Sequence, residues 1–395
     1  MPAITTPREP SRPRTLVSGG FRTVSPKRPC RICRRDDWCG FSRDERVSIC
    51  MRVSDGARRS SKNGGNIHVH DDVAPTFNYQ PPVRSTPQIK LAPIEVRDAI
   101  YRELIRISPA SRYQQQLIDD QESGLISRGL LRQETLNYGA LPATQKERAK
   151  LARSLRSFAK AHFPKYTNLI GIAGVWQDPK GFTHIWKPHN YRMPMLLIPY
   201  KDEHGRIQAC QLRLHPLDIH KDNPKKYRWL SSPKDPKGTS SGTPIHFTFN
   251  PNSLSPRSDV VITEGALKAE TLVSLRPDVR AIATSGVSCA QDELVNAARP
   301  YNMLIGFDSD YKTNPAVCRQ LARLIASREL DRQSRQLTTT TRILSWEGSK
   351  GIDEAAYANE SIKIVSISKW QSGLSGLALE EVIKVWQEAG YAPAQ

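Results

Sequence analysis

From Ile89 to about His162 the apolar residues recur at three- and four-residue steps. Ile94, Ala99, Ile100, Leu104 and Ile105 lead, and Leu117, Ile118, Leu125 and Ile126 follow after a break. A helix buries one stripe at that period, so the spacing predicts a helical segment over 89–165. From Tyr166 to Phe249 the runs shorten to strand length, as in Asn168–Val175, Met195–Tyr200 and Gln208–Leu214, with Asp-Pro, His-Gly and Lys-Gly turns between them. This predicts an α+β platform over 166–257. Its polar, basic stretch KDNPKKYRWLSSPKDPKGTSSG reads as an exposed loop.

The last third alternates more regularly. Asp259–Thr263, Val279–Thr284, Asn302–Phe307 and Arg342–Trp346 are short apolar runs. Helical patterns follow each of them, over Ala266–Leu275, Gln291–Ala298, Pro315–Arg328 and after Ile352. Strands alternating with helices of this length predict a parallel sheet in a doubly wound α/β module over 258–358. A final amphipathic helix is expected over Leu377–Ala389, within a helical segment 359–395.

The amino-terminal part has a different character. Residues 1–26 are rich in Pro, Arg, Ser and Thr without a hydrophobic period, and read as a disordered basic tail. Residues 57–88, broken by Gly-Gly and Pro-Pro, read as a linker. Between them, 27–56 holds Cys30, Cys33, Cys39 and Cys50. Cys30-x-x-Cys33 is a turn that brings two thiolates onto one tetrahedral ion, and four sulfurs in so short a segment point to structural Zn²⁺. His68 or His70 stands as an alternative to Cys39. A core this small needs such a staple, so the ion would supply its stability. Cys210, Cys289 and Cys318 lie in apolar or helical contexts and read as buried thiols.

The chain of 395 residues carries 58 Lys and Arg against 39 Asp and Glu, a net charge of +19. That excess implies a polyanionic partner. Residues 1–62 alone hold 15 basic and 6 acidic side chains. Arg31, Arg34, Arg35, Trp38, Phe41 and Arg43 interleave cations with rings, and Lys225, Lys226, Tyr227, Arg228 and Trp229 do so again. This combination suits single strands, whose phosphates meet cations while bases stack. No apolar run is long enough to span a membrane, and the first residues lack the apolar stretch of a signal peptide, which together predict a cytoplasmic protein. No G-x-x-x-x-G-K-[ST] occurs, so no P-loop motor is expected within this sequence.

Ligands of open α/β sheets bind beyond the carboxyl ends of the strands. Glu264 directly follows the first strand, Asp308 and Asp310 follow the third, and Asp353 lies in the loop after the fourth. Four carboxylates from three turns are thus expected on one edge. The Asp-x-Asp pair can offer oxygens to a hard cation such as Mg²⁺, and a glutamate beside it can move a proton. Gly265 is expected to relieve backbone crowding beside the acid.

The segments VVITEGALKAETL, GFDSD and SKGIDEA together resemble a Toprim module, the fold shared by bacterial DnaG-type primases, topoisomerases and some nucleases. SKGIDE is similar to the Gly-Lys-Asp-Pro-Asp stretch of those primases, with Ile in place of Pro. SRGLLRQE, MLLIPYKDEHGRIQACQLRL and KYRWLSSPKDPKGTSSGTPIHF resemble a domain of unknown function found with Toprim modules on plasmids, phages and integrative elements. PCRICRRDDWCGFSRDERVSICMRVSDG resembles the zinc ribbon ahead of it, although not in the DnaG-type Cys-His-Cys-Cys order.

The resemblance implies a fold of three parts: a zinc ribbon, the platform and a carboxy-terminal Toprim domain. It implies Glu264 as general acid/base, Lys268 as a phosphate or acid partner, and Asp308, Asp310 and Asp353 as ligands of Mg²⁺ or Mn²⁺. The implied activity is RNA primer synthesis on single-stranded DNA from nucleoside triphosphates, with a replicative helicase in trans, in the prokaryotic cytoplasm. A Toprim nuclease and a non-catalytic RecR-like clamp are the alternative expectations.

Overall fold

A computed structural model describes residues 21–25, 28–36, 39–42, 45–53, 55–60, 66–70, 89–188, 191–219, 225–312 and 314–393. The chain forms two units, Met1–Pro87 and Gln88–Gln395. Among the described residues no helix is long and apolar enough to cross a membrane.

The first unit is a small antiparallel sheet of β1 (Phe21–Thr23), β2 (Gly40–Ser42), β3 (Val47–Cys50), β4 (Arg59–Ser60) and β5 (Asn66–Val69), in the order β1-β2-β3-β5-β4. The sheet reaches past 27–56 on both sides. Phe21–Thr23 was expected in the tail and Asn66–Val69 in the linker, yet both are paired strands, Val47 to Cys50 lying opposite Val69 to Asn66. Backbone N–H and C=O groups on a central strand must find partners, and these flanking segments supply them. The core is slight: Val24, Cys30, Cys39, Phe41 and Cys50.

The second unit opens with α1 (Ile94–Ile107), a run of tight helical turns between Ala110 and Asn137, β6 (Gly139–Leu141) and α2 (Gln145–His162). Thr144 caps α2 by accepting the Glu147 N–H, and its hydroxyl donates to the Glu147 carboxylate at 2.6 Å. A two-stranded hairpin follows, β7 (Val175–Gln177) and β8 (Thr183–Ile185). The expected strand over Asn168–Val175 is instead a series of turns whose Leu169, Ile172 and Ala173 are buried. Then come β9 (Met195–Lys201), β10 (Ile207–Arg213) and β11 (Tyr227–Trp229), which join β6 in the order β11-β10-β9-β6.

Side chains along β9 alternate between two cores. Met195 and Leu197 pack toward α1 and α2, whereas Leu196, Ile198 and Tyr200 pack with Leu117, Ile118 and Leu125 on the other face. The middle of the expected loop KDNPKKYRWLSSPKDPKGTSSG is therefore a strand, because Tyr227–Trp229 completes the edge of this sheet against Gln211–Arg213.

The remaining elements are β12 (His246–Phe247), β13 (Asp259–Glu264), α3 (Ala266–Leu275), β14 (Ala281–Thr284), α4 (Gln291–Ala297), β15 (Asn302–Ile305), α5 (Pro315–Ser334), β16 (Thr341–Ser345), α6 (Ile352–Tyr357), β17 (Lys363–Val365), α7 (Ile367–Ser372) and α8 (Gly376–Ala389). Their sheet runs β12-β14-β13-β15-β16-β17, parallel through the four central strands and antiparallel at both edges. Both faces are covered. Val260, Ile262, Met303 and Ile343 pack under α4, α5, α7 and α8, while Val261, Ala283, Leu304 and Leu344 pack under α3 and α6. This is why the strands read as continuous apolar runs.

β13 leads to α3 on one face and the neighbouring β15 leads to α5 on the other. Their carboxyl ends therefore form a topological switch point, where a crevice opens between diverging connections. Ala266 and Leu267 of α3 also pack with Tyr200 of β9, so the platform sheet backs onto the helix that starts at this crevice.

Candidate active site and cysteine centre

Glu264 is the last residue of β13, and Gly265 turns the chain into α3. Gly265 has φ +88° and open space where a side chain would begin, so its need is the left-handed backbone rather than the crowding expected. The loop after β15 carries Asp308 and Asp310, the loop after β16 carries Lys350, and Asp353 stands in the first turn of α6. The two loops are tied together: the Ser309 N–H donates to Lys350 O at 2.9 Å, and its hydroxyl to Ser349 O at 3.2 Å.

Around these loops charges are paired across elements. Lys268 Nζ from α3 makes an ion pair and hydrogen bond with Asp308 Oδ1. Lys350 Nζ lies 2.9 Å from Asp310 Oδ2 and 3.9 Å from Asp308 Oδ2. Arg128, from the turns of the platform, donates to Asp353 Oδ2 at 2.7 Å. Asp353 is completely buried, and its Oδ1 has no hydrogen-bond partner. The Cβ that Gly351 lacks would fall 2.5 Å from that oxygen and 3.2 Å from Lys268 Nζ.

The electrostatics follow from this crowding. Burial, then the negative charges of Asp308 and Asp310, raise the Glu264 pKa against the opposing pull of Lys268. Burial alone would lower Lys268, but Asp308, Asp353 and Glu264 outweigh it and hold the ammonium charged. Burial likewise lowers Arg213 of β10, which neighbours Tyr227, Arg128 and Asp353 and donates to Ser123 O at 2.7 Å.

Glu264, Lys268, Asp308 and Asp310 thus stand at one sheet edge, with Asp353 beside them. The carboxylate oxygens are not gathered within one coordination sphere, since lysine ammoniums lie against Asp308 and Asp310. The donor set still suits a hard cation: carboxylate oxygens, one of them buried without a partner, beside a glycine where any side chain would press on that oxygen.

Sequence reasoning missed Arg128, Arg213 and Lys350 as members of this site. Lys350 is the second residue of the quoted SKGIDEA and was readable there. Arg128 lies 225 positions from Asp353, and no local pattern signals that pair.

The second basic cluster is divided by its strand. Residues opposite each other in a ladder share a face. Tyr227 pairs with Arg213 and Trp229 with Gln211, so they face the crevice side, whereas Arg228 pairs with the buried Leu212 and points the other way. Trp229 stacks at a tilt on Tyr200, with ring centres 4.6 Å apart. Arg228 lines a cavity of about 480 Å³ with Trp186 and Tyr191. Lys225 and Lys226 are exposed.

In the first unit the four sulfurs of Cys30, Cys33, Cys39 and Cys50 all lie within 4.8 Å of one another. The backbone N–H groups of Met51 and Val53 donate to Cys39 and Cys50 at 3.4 Å each, and Arg52 Nη1 approaches Cys33 and Cys39 at 3.8 and 3.7 Å. Burial pushes the Cys39 thiol up to about 12. Cys33, despite its own burial, is brought down to about 7 by the Arg35 N–H and its neighbouring donors. Sulfurs this close can all be thiolates only if a cation shares their charge, and Zn²⁺ fits four of them.

Both histidines are engaged elsewhere: His68 Nε2 bonds Val53 O at 3.0 Å and His70 Nε2 meets Ser48 Oγ at 2.8 Å. Arg31, Arg34 and Arg35 are exposed around the knuckle, whereas Phe41 is buried beneath Arg28. Trp38 and Arg43 lie outside the described residues.

No protein-family model matches the chain. No curated protein matches it by sequence either. Among solved structures it is similar to DnaG-type primase cores. With the Aquifex aeolicus primase (zinc-binding and RNA polymerase domains) it shares 15% identity at a TM-score of 0.45, covering 75% of this chain but 66% of that one. With a DnaG primase catalytic domain bound to ssDNA the values are 15% and 0.44, covering 75% and 98%. With the E. coli primase catalytic core they are 12% and 0.43, covering 76% and 98%.

Proposed function

We propose that the chain is a primase-like nucleotidyltransferase that makes RNA primers on single-stranded DNA, serving a plasmid, phage or integrative element. The observation that carries this reading is the placement of Glu264, Asp308 and Asp310, with Asp353 behind them, beyond the carboxyl ends of neighbouring parallel strands at the switch point, fringed by Arg128, Arg213, Lys268 and Lys350. The sequence resemblance to a Toprim module supports it. Acids that hold a cation, beside bases that hold phosphates, are what phosphoryl transfer requires.

Asp308 and Asp310 are the residues that would hold Mg²⁺ or Mn²⁺, with Asp353 less directly placed. When bound, the ion supplies charge neutralisation of a triphosphate. The protein's own part is then positional and protonic. Arg213 and Lys268 present fixed positive charge to the phosphates. Glu264, its pKa raised, accepts the proton of a primer 3′-hydroxyl. The oxygen bonds to the α-phosphorus of an incoming ribonucleotide, and the bond to pyrophosphate breaks. The exposed Arg31, Arg34 and Arg35 and the exposed Lys225 and Lys226 would hold template phosphates. A replicative helicase would act in trans.

The test is incubation of the purified chain with single-stranded template, labelled ribonucleotides and Mg²⁺ or Mn²⁺. New oligoribonucleotides that disappear in Asp308→Asn or Glu264→Gln support priming. Degraded template instead identifies a nuclease, and retarded DNA without either product identifies a clamp.

A further inference from the structure

The carboxylates of the crevice are already neutralised by the protein, and the two lysines that do so differ in kind. Lys268 is held within α3, its side chain 12% exposed, and it pairs with Asp308 while neighbouring Asp353 and Glu264. Lys350 sits on a loop, its side chain 61% exposed, and reaches Asp310 at 2.9 Å and Asp308 at 3.9 Å. A buried ion pair is held firmly because its partners cannot return to water, whereas an exposed one exchanges readily with dissolved ions. One cation is therefore fixed and the other exchangeable.

We propose that Lys350 is a built-in counter-ion that occupies the cation position until a divalent ion displaces it, while Lys268 remains, so that the crevice takes one divalent ion. This rests on the reading of the crevice as a cation site. A second observation stands behind it: Asp353 Oδ1 is buried without a hydrogen-bond partner beside Gly351, so the site retains acceptor capacity that the lysines do not exhaust. With Lys268 in place, a second divalent ion on the Lys268 side of Asp308 would lie against a fixed ammonium, and like charges at that range repel strongly in a buried setting. Displacement leaves the Lys350 ammonium at the mouth, where it meets the phosphates of a polyphosphate ligand.

The experiment is Mn²⁺ titration of the full chain without nucleotide, followed by electron paramagnetic resonance. Thiolates bind this hard ion poorly, so the cysteine centre does not interfere. The wild type is expected to bind one Mn²⁺. Lys350→Gln, which removes the competitor and lies outside the folded core, is expected to bind it about fivefold more tightly at unchanged stoichiometry. Lys268→Gln, where it folds, is expected to admit a second ion. Equal affinity in wild type and Lys350→Gln, or two ions in the wild type, overturns the inference while leaving the cation site standing. No Mn²⁺ in any variant removes the cation site itself, and the inference with it.

Discussion

The cysteine centre and the acidic crevice are both built to gather negative charge, but they solve the problem of repulsion in opposite ways. Cys30, Cys33, Cys39 and Cys50 come from 21 consecutive positions and press their sulfurs together on a sheet with almost no core. Glu264, Asp308, Asp310 and Asp353 come from three separated turns of a sheet buried on both faces, and lysine and arginine already offset their charge. With zinc bound as its cysteines allow, the first arrangement would draw its fold from the ion. The second is folded by its hydrophobic core, and an ion there would serve chemistry.

The sharpest way to break this contrast is Cys30→Ser. It is expected to abolish binding of about one zinc per chain and to unfold the first unit, because five buried residues cannot offset the entropy of ordering that sheet. Metal analysis with amide hydrogen exchange checks it, and a folded, zinc-free first unit would erase the distinction. On the other side, Asp308→Asn takes the buried Lys268 ammonium's ion-pair partner away and should lower the second unit's melting temperature by several degrees while leaving it folded. It should also lower primer synthesis about a hundredfold or more.

Arg128→Met tests the role of neutralisation in the crevice. It takes from the buried Asp353 its ion-pair partner, at a cost of about 3–5 kcal/mol. Denaturant unfolding of the second unit should show the loss, and Arg128→Met combined with Asp353→Leu should recover much of it.

The smallest effect concerns Glu270 on α3. Its burial would raise its pKa, but His246 and Lys201, which donate to it at 3.1 and 2.9 Å, bring it down to about 2 from an ordinary 4.5. A depressed carboxylate contributes stability that is complete above pH 4.5 and lost as pH falls toward 2. Burial also lowers His246, whose charging in the unfolded chain removes further stability below its ordinary 6.5. Glu270→Gln should cost about 2 kcal/mol at pH 7 and flatten the acid limb between pH 4.5 and 2. Urea midpoints measured across that range check it.

The sequence announces local features and withholds remote ones. Cys30-x-x-Cys33 marks its own turn, and the runs ending in Thr263, Phe307 and Trp346 mark parallel strands, because each signal lies within a few residues. Asn66–Val69 has no such mark, for its strand exists only through pairing with Val47–Cys50. Tyr227–Trp229 sits in so polar a stretch that only the exposed edge of β10 explains it. Arg228 shows the limit of composition as a guide: its neighbours Tyr227 and Trp229 face the crevice, and pleating alone turns it away. The ion pair of Arg128 with Asp353 depends on the packing of α6 against the platform turns, which no spacing encodes.

The edge strand His246–Phe247 precedes the parallel sheet in the chain and completes it in space. A gene fragment beginning near Ser258 would therefore leave Ala281–Thr284, apolar and buried in the intact protein, as an open ribbon. Such a fragment would clump with its own copies. A cut that keeps this sheet whole must fall upstream of Ile245, not at the apparent seam.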